Sequence, residues 1–242
     1  MLVATPGIVL HTTPYGDSSV VVRVFTRLLG VRSYIIKGVR GPRGRIKQNL
    51  LQPMTSLDMV VYDNPRNDLN HVKELAPRHP GAAFGQVGNA MCFFMTEVLY
   101  KALREAEPMP DLFDYAEQAP FSILFSTAMF PTMFLLTVAH HLGIEPLDNF
   151  STREPLFDLQ EGRFVSAASE TTLSSGLSDM LHQYLSPSAH WEEEDSAGQG
   201  SVPPPPYSDR RSLLDALLAY YQLHLSGFHN FHSHEILHTV LR

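Results

Sequence analysis

The sequence predicts an α+β protein in which a small closed barrel of five strands precedes an all-α helical domain with a small irregular hairpin insert. Five short runs rich in β-branched residues lie within about the first 77 residues, which suits a small barrel. After Pro77 and Pro80 the apolar residues recur at helical spacing. With 242 residues and 44% hydrophobic content, the chain is able to bury one large core or two small ones.

The predicted strands follow one another closely along the first part of the chain. They cover residues 3–12, 19–26, 31–37, 56–62 and 69–75. Residues 38–47 separate the third strand from the fourth as a loop punctuated by Gly and Pro, and this loop is the most basic segment of the chain. We therefore expect a barrel domain over residues 1–79 that carries a basic loop.

The rest of the chain, residues 80–242, is predicted to form the helical domain. Residues 157–165 indicate a hairpin around Glu161 and Gly162. Residues 188–210, which are acidic and rich in proline, are expected to be a mobile insertion. Helices are expected over residues 87–103, 111–117, 121–142, 172–185, 211–226 and 233–241, the last with Ser233 as its N-cap and with Ile236 and Leu237 turned inward.

Charge is distributed unevenly along the chain. The formal net charge is -7. Residues 1–79, however, contain eleven Lys and Arg against five Asp and Glu, a net charge of +6, while the remaining 163 residues contain seven against twenty, a net charge of -13. This asymmetry suggests that the first part of the chain meets a polyanion.

A nucleic acid is a chemically suitable polyanion for a small basic barrel. Guanidinium and ammonium groups follow the phosphates, and exposed rings stack on bases; Tyr15, Phe25 and Tyr34 are the candidate rings, although aromatic residues in barrel strands also serve as core. A solvated surface loop, or a barrel that docks an acidic protein, explains the same charges. The predicted DNA-binding residues are Arg23, Arg27, Arg32, Lys37, Arg40, Arg43, Arg45 and Lys47.

Candidate catalytic and metal-binding groups are few. Cys92 is the single cysteine, so the chain forms neither an internal disulfide nor a thiolate cluster. His234 and His238 lie one helical turn apart but lack the Glu of a His-Glu-x-x-His arrangement. The sequence also contains no phosphate loop, nucleophile elbow or Rossmann glycine pattern. We predict a non-enzymatic protein with no cofactor and no bound metal.

The expected location is the cytoplasm. The first residues lack a basic leader and reach Pro6 and Gly7 before any long apolar stretch, which is unlike a signal peptide. Residues 121–142 form the most apolar stretch, but Pro131 interrupts it and two histidines end it, so no contact with a membrane is predicted.

An ordered series of short motifs resembles the bacterial recombination mediators of the RecO family over nearly the whole chain. The series begins with Tyr15-Gly16-Asp17-Ser18-Ser19 and continues with Phe25-Thr26 before Gly30. Lys37-Gly38-Val39-Arg40 and Leu51-Gln52-Pro53 follow in the same order and at similar spacing. Each motif is short, and the series gives the resemblance its specificity.

The resemblance implies an OB fold for the barrel and a role in DNA repair and homologous recombination. Members of the family bind single- and double-stranded DNA, anneal complementary strands, contact the C-terminal tail of single-strand binding protein, and join RecR to help load RecA. It also implies a bacterial, nucleoid-associated location. The predicted contacts for the acidic tail are the few cations of the helical domain, Lys101, Arg104, Arg153 and Arg163.

Many members of the family also carry a four-cysteine zinc module after the central helices. The matching region here, residues 150–166, has no cysteine. We expect its hairpin to keep the shape of the module without a metal.

Overall fold

The computed structural model of the protein describes residues 1–39, 48–64, 66–103, 107–186 and 205–241. The chain divides into two compact units, Met1–Phe121 and Ser122–Arg242. The first unit therefore includes two helices as well as the barrel, whose last strand ends at Pro77. The limit at residue 79 stays a prediction about the barrel as a domain. Within the described part of the chain, no helix has both the length and the apolar character needed to cross a bilayer.

Five strands form a closed barrel in the first unit. They are β1 (Leu2–Tyr15), β2 (Ser19–Thr26), β3 (Gly30–Ile36), β4 (Ser56–Tyr62) and β5 (Asn70–Pro77). Their order around the barrel is β1-β2-β3-β5-β4, and every neighbouring pair is antiparallel except β3 with β5. This is the five-stranded barrel of an OB fold, so the predicted fold class is confirmed.

The long first strand holds the barrel together because it pairs on both sides. Residues 2–8 pair with β4 and residues 7–15 pair with β2. A bulge at Leu10 shifts the register between Val9 and His11, which lets the strand bend around the barrel. Gly7 lies where both pairings overlap, and a Cβ there would lie 2.6 Å from Val24 Cγ1 and 2.9 Å from Met59 Sδ. Glycine is therefore required by close packing at this point.

Alternate residues of the strands fill the barrel interior. Because side chains alternate between the two faces of a strand, the β-branched runs seen in the sequence supply most of a packed interior. The buried interior consists of Val9, Val20, Val22, Val24, Tyr34, Ile36, Val39, Leu51, Leu57, Met59 and Val61.

Two helices, α1 (Gly85–Ala102) and α2 (Pro110–Gln118), pack against the outside of the barrel. The ring of Phe25 on β2 meets Phe113 of α2 edge on, with ring centroids 5.5 Å apart. The ring of His11 on β1 lies 5.2 Å from Tyr100 of α1. β2 is thus buried on both faces near its end, where Val24, Phe25 and Thr26 are all buried.

A group of polar residues, which we call the α2 latch, joins α2 to the barrel. The Glu117 carboxylate is only 5% exposed and accepts hydrogen bonds from the Ser56 hydroxyl and, at 2.7 Å, from Arg78 Nε. Arg27 donates two hydrogen bonds to Asp114, at 2.7 and 2.8 Å. Asp114 and Glu117 lie three residues apart, so both point from one face of the helix toward the barrel.

The second unit contains four helices and a short hairpin among the described residues. They are α3 (Phe130–His141), β6 (Leu156–Asp158), β7 (Arg163–Val165), α4 (Ser175–Leu185), α5 (Tyr207–His224) and α6 (Ser233–Val240). Gly162 turns the hairpin with a φ of 69°, a backbone conformation that favours glycine. The predicted hairpin around Glu161 and Gly162 is therefore present.

Three local expectations for the second unit are wrong. The apolar stretch 121–142 contains a helix only over Phe130–His141, because Pro131 lacks a backbone N–H and is accommodated in the first turn. The last helix is preceded by His232 and not by Ser233, and Ile236 is 50% exposed while Leu237 is buried. The insertion predicted over residues 188–210 ends earlier, since α5 begins at Tyr207; residues 188–204 lie outside the described residues.

Candidate nucleic-acid interface

One end of the barrel brings together the turn between β1 and β2 and both sides of the basic loop. The backbone N–H of Val39 donates to the Ser18 carbonyl at 2.9 Å, so the segment leaving β3 lies beside the β1–β2 turn. The Thr12 hydroxyl donates to the Leu51 carbonyl at 2.8 Å, which holds a short 3-10 helix (Gln48–Leu51) against β1. The described residues on both sides of 40–47 therefore meet at this place, which we call the hairpin end.

The structure separates the three candidate stacking rings. Tyr15 ends β1 at the hairpin end and is 53% exposed. Phe25 and Tyr34 are fully buried, the first against α2 and the second inside the barrel. Of the three rings, only that of Tyr15 is therefore exposed.

Lys37 lies at the same end of the barrel as Tyr15, on the other side of β2. Tyr15 pairs with Ser19 on β2, and the following residue of β2, Val20, pairs with Ile36 at the end of β3. Lys37 follows Ile36 directly and is exposed. An aromatic ring and an ammonium group thus share the hairpin end. The predicted residues Arg40, Arg43, Arg45 and Lys47 lie outside the described residues.

Three other predicted DNA-binding residues have partners within the first unit. The Arg23 guanidinium lies 5.1 Å from the centroid of the Tyr100 ring. Arg27 is bound to Asp114, and this hydrogen bond and the charge of Arg27 hold the pKa of Asp114 below its usual range. Arg32 Nε lies 3.8 Å from a carboxylate oxygen of the buried Asp63.

The cations predicted to bind a partner protein are dispersed. Lys101 Nζ lies 3.6 Å from Glu97 Oε1, one turn away on α1. Arg163 Nε lies 3.0 Å from Glu161 Oε2 in the hairpin of the second unit, and Arg153 is exposed in the loop before that hairpin. Arg104 lies outside the described residues. These four residues stay predictions.

The acidic partners of the arginines are what sequence reasoning missed. Asp114 and Glu117 engage Arg27 and Arg78, yet the pairs are separated by 87 and 39 residues along the chain. The spacing of the two acids on a short amphipathic helix was the available signal, because residues three apart lie on one helical face. Which cations they meet depends on the tertiary fold.

The residues present do not fit a zinc ion. Cys92 lies in α1 of the first unit, and burial raises the pKa of its thiol to about 12, so it is not a ready thiolate ligand. Among the described residues, no three His, Cys, Asp or Glu side chains are grouped as metal ligands would be. His238 instead meets Asp215 on α5, with Nε2 2.9 Å from Oδ1.

Comparison with known proteins gives a consistent result. Residues 1–80 match the family model described as Recombination protein O N terminal. The chain is 30% identical over 174 residues to the DNA repair protein RecO of Phocaeicola vulgatus, covering 69% of this chain and 71% of that one. It is 28% identical over 247 residues to the DNA repair protein RecO of Christiangramia forsetii and 29% identical over 252 residues to that of Porphyromonas gingivalis, covering 99% of each chain in both cases.

The fold defines a class, that of OB-fold barrels joined to a helical unit. Such barrels bind oligonucleotides in many proteins, but the fold alone does not assign a function. Sequence similarity to the relatives assigns the family: the chain belongs to the RecO family.

Proposed function

We propose that the protein binds DNA at the hairpin end of the barrel, without reading its sequence. Family membership makes it a DNA repair and recombination protein. One observation carries the finer proposal: the exposed Tyr15 ring, Lys37 and both described sides of the basic loop share one end of the barrel. A ring for stacking beside cations for phosphates is the combination that binds single strands.

Annealing of complementary strands follows from the same arrangement. Cations that neutralise phosphates lower the repulsion between two strands, and no covalent bond is made or broken in the process. The proposal therefore needs no catalytic residue and no cofactor. Double-stranded DNA is bound through the same phosphate contacts, while the contribution of stacking is reserved for unpaired bases.

The proposed place in repair is that of a mediator. We propose that the protein joins RecR, contacts the C-terminal tail of single-strand binding protein, and so helps to load RecA on DNA coated by that protein. Support for these partners comes from the family alone. Arg23, Arg27 and Arg32 keep a secondary place in the DNA site, because their intramolecular contacts have to be given up for direct contact with phosphates.

The test is the affinity of the full chain for a fluorescent single-stranded oligonucleotide, measured by anisotropy. We expect Tyr15→Ala to weaken binding by about 5-fold or more, because a stacked ring contributes about 1–3 kcal/mol. Lys37→Glu should weaken it as well. Tyr62→Ala and Lys73→Glu are matched controls: Tyr62 is 52% exposed but pairs with Leu2 at the opposite end of β1, and Lys73 is bound to Glu74.

The same measurements separate DNA binding from the rival function, a scaffold that docks an acidic protein. An acidic partner needs the cations but not the stacking ring. Equal affinities of the Tyr15→Ala and Tyr62→Ala proteins for the oligonucleotide, together with full displacement by polyglutamate, would support the scaffold and contradict the proposal.

A further inference from the structure

A buried carboxylate joins the hairpin of the second unit to the loop that follows it. Asp158, the last residue of β6, is 5% exposed. It accepts hydrogen bonds from the backbone N–H groups of Gln160 and Glu161, both at 2.9 Å. It also accepts hydrogen bonds from the hydroxyls of Ser169 at 2.7 Å and Thr171 at 2.9 Å. One side chain thus holds the turn of the hairpin and the chain that leaves it.

These donors keep the carboxylate charged. Burial alone would raise the pKa of Asp158, but the hydrogen bonds from Ser169, Glu161, Thr171 and Gln160 outweigh it and hold the pKa below its usual range. A buried carboxylate with four donors satisfies the requirement that buried charges be fully hydrogen-bonded. The charged form is therefore the form that the surrounding structure is built to hold.

A second polar side chain joins the hairpin to the loop that precedes it. The Asn149 amide donates to the Phe164 carbonyl at 2.9 Å and to Glu154 at 2.8 Å, while its oxygen accepts from the Phe164 backbone N–H at 2.8 Å. Phe164 is fully buried, and its ring lies 5.1 Å from that of Phe157 on β6. Asn149 thus pairs with β7 much as a neighbouring strand does.

The hairpin is also fixed to the helices around it. The backbone N–H of Phe157 donates to the buried Ser178 hydroxyl of α4 at 2.9 Å. On α5, His224 Nε2 lies 2.9 Å from the Leu159 carbonyl, and the Tyr220 hydroxyl donates to the Ile144 carbonyl at 2.7 Å. The loops on both sides of the hairpin and two helices are therefore connected through polar contacts and rings.

We infer that Asp158 and Asn149 serve in this chain as the cross-links that a zinc ion supplies in four-cysteine modules, so that the hairpin module over residues 144–173 folds without a metal. A structural zinc ion connects chain segments that lack enough apolar area to hold one another. Here four hydrogen bonds accepted by one carboxylate, together with two donated and one accepted by one side-chain amide, connect those segments. The inference is independent of where DNA binds.

Metal content and thermal stability test the inference directly. The full chain is purified without added metal, and its zinc is measured by plasma mass spectrometry. Thermal unfolding is then followed with EDTA and with added zinc. We expect far less than one zinc per chain and the same melting temperature under both conditions. About one zinc per chain, or a melting temperature that falls with EDTA and returns with zinc, would overturn the inference.

Substitutions test the role of the carboxylate. Asp158→Asn keeps the shape of the side chain but removes its charge and presents an N–H group to donors, so we expect the melting temperature to fall by about 4 °C or more. Thr171→Val removes a single donor and should cause a smaller fall. Gln160→Ala is the control, because Gln160 contributes only its backbone N–H and its side chain is exposed.

Hydrogen exchange at the amides of Gln160 and Glu161 shows whether a lower melting temperature arises from a change at the hairpin. Faster exchange there in the Thr171→Val protein supports the inference even where Asp158→Asn does not fold. Melting of the Asp158→Asn protein at the temperature of the Gln160→Ala protein contradicts it.

Discussion

Two fully buried tyrosines, Tyr34 in the barrel and Tyr221 on α5, differ in what their hydroxyl groups meet. The Tyr221 hydroxyl donates to the Leu135 carbonyl at 2.6 Å. The Tyr34 hydroxyl has no hydrogen-bond partner among the described residues. Burial raises the pKa of Tyr34, and the nearby Asp63 carboxylate adds to the rise, so its hydroxyl stays protonated. Rings of equal burial thus have unequal polar environments.

Replacing each tyrosine with phenylalanine should separate the two environments. Tyr34→Phe removes a buried hydroxyl that makes no hydrogen bond to any described residue, so we expect the free energy of unfolding to stay the same or to rise by up to about 1 kcal/mol. For Tyr221→Phe, the matched control, the free energy of unfolding should fall by about 1 kcal/mol. Urea denaturation gives both values. An equal loss in the two proteins would mean that the Tyr34 hydroxyl is hydrogen-bonded within the barrel.

The sequence alone does not tell which of two similar aromatic residues is exposed and which is buried. Tyr15 and Tyr34 both lie at or near strand ends, and composition alone favours neither as the stacking ring. Their exposure depends on which face of the barrel each side chain occupies, and pairing between strands decides that. Proximity to the turn at Gly16 is the one local signal that favours Tyr15, because hairpin turns lie at the surface.

At the scale of elements, the α2 latch shows how polar contacts of different burial fasten one helix. Glu117 is 5% exposed and meets Arg78, whose side chain is 32% exposed. Asp114 meets Arg27 through two hydrogen bonds, but the side chains are 48% and 39% exposed. Water screens the second pair more than the first, so the geometry of the hydrogen bonds does not decide their relative contributions.

Replacing each acid of the α2 latch with alanine tests which of the two pairs contributes more to stability. Glu117→Ala leaves the buried Ser56 hydroxyl without its acceptor and leaves Arg78 with Asp58 alone, so we expect a loss of about 2–3 kcal/mol in the free energy of unfolding. Asp114→Ala should cost less than about 1 kcal/mol, because exposed ion pairs contribute little. Chemical denaturation of both proteins gives the comparison, and a larger loss for Asp114→Ala would contradict the assignment.

Elements with strong local periodicity were predictable, and those set by distant contacts were not. The run of β-branched residues over 19–26 is β2, Ser19–Thr26, and the run over 56–62 is β4, Ser56–Tyr62. The apolar stretch 121–142 was predicted as one helix, yet its first part forms turns, such as the one closed by the Thr127 N–H to the Leu124 carbonyl at 2.8 Å. Composition does not reveal where such turns replace a helix.

In the whole molecule, basic and acidic residues are concentrated in different parts of the chain. The surplus of basic residues in 1–79 contrasts with a surplus of acidic residues in the remainder. Several of the basic side chains are held in ion pairs, among them Arg27, Lys73 and Arg78. The charges that the proposal assigns to DNA are therefore fewer than the sequence count: Lys37 and the four cations of residues 40–47.

The salt dependence of DNA binding measures how many cations contact phosphates. Five phosphate contacts with single-stranded DNA predict that log K falls with log salt concentration at a slope of about -3.5. Replacing Arg40, Arg43 and Arg45 with Gln should reduce the slope by about 2 while leaving the effect of Tyr15→Ala unchanged. Anisotropy titrations over a range of salt concentrations give the slopes. A slope near zero in the unaltered protein would contradict charge neutralisation as the source of affinity.

Because β1 pairs with both β2 and β4, its two sides are paired at different times during synthesis of the chain. The first residues of β1 pair with β4, as Leu2 does with Tyr62. At about 5–20 residues per second, synthesis leaves the start of β1 without its β4 partner for roughly 3–12 seconds. During that interval β1 has only β2 to pair with, so a hairpin precedes the barrel on the growing chain. The barrel itself closes only after β4 and β5 have been added.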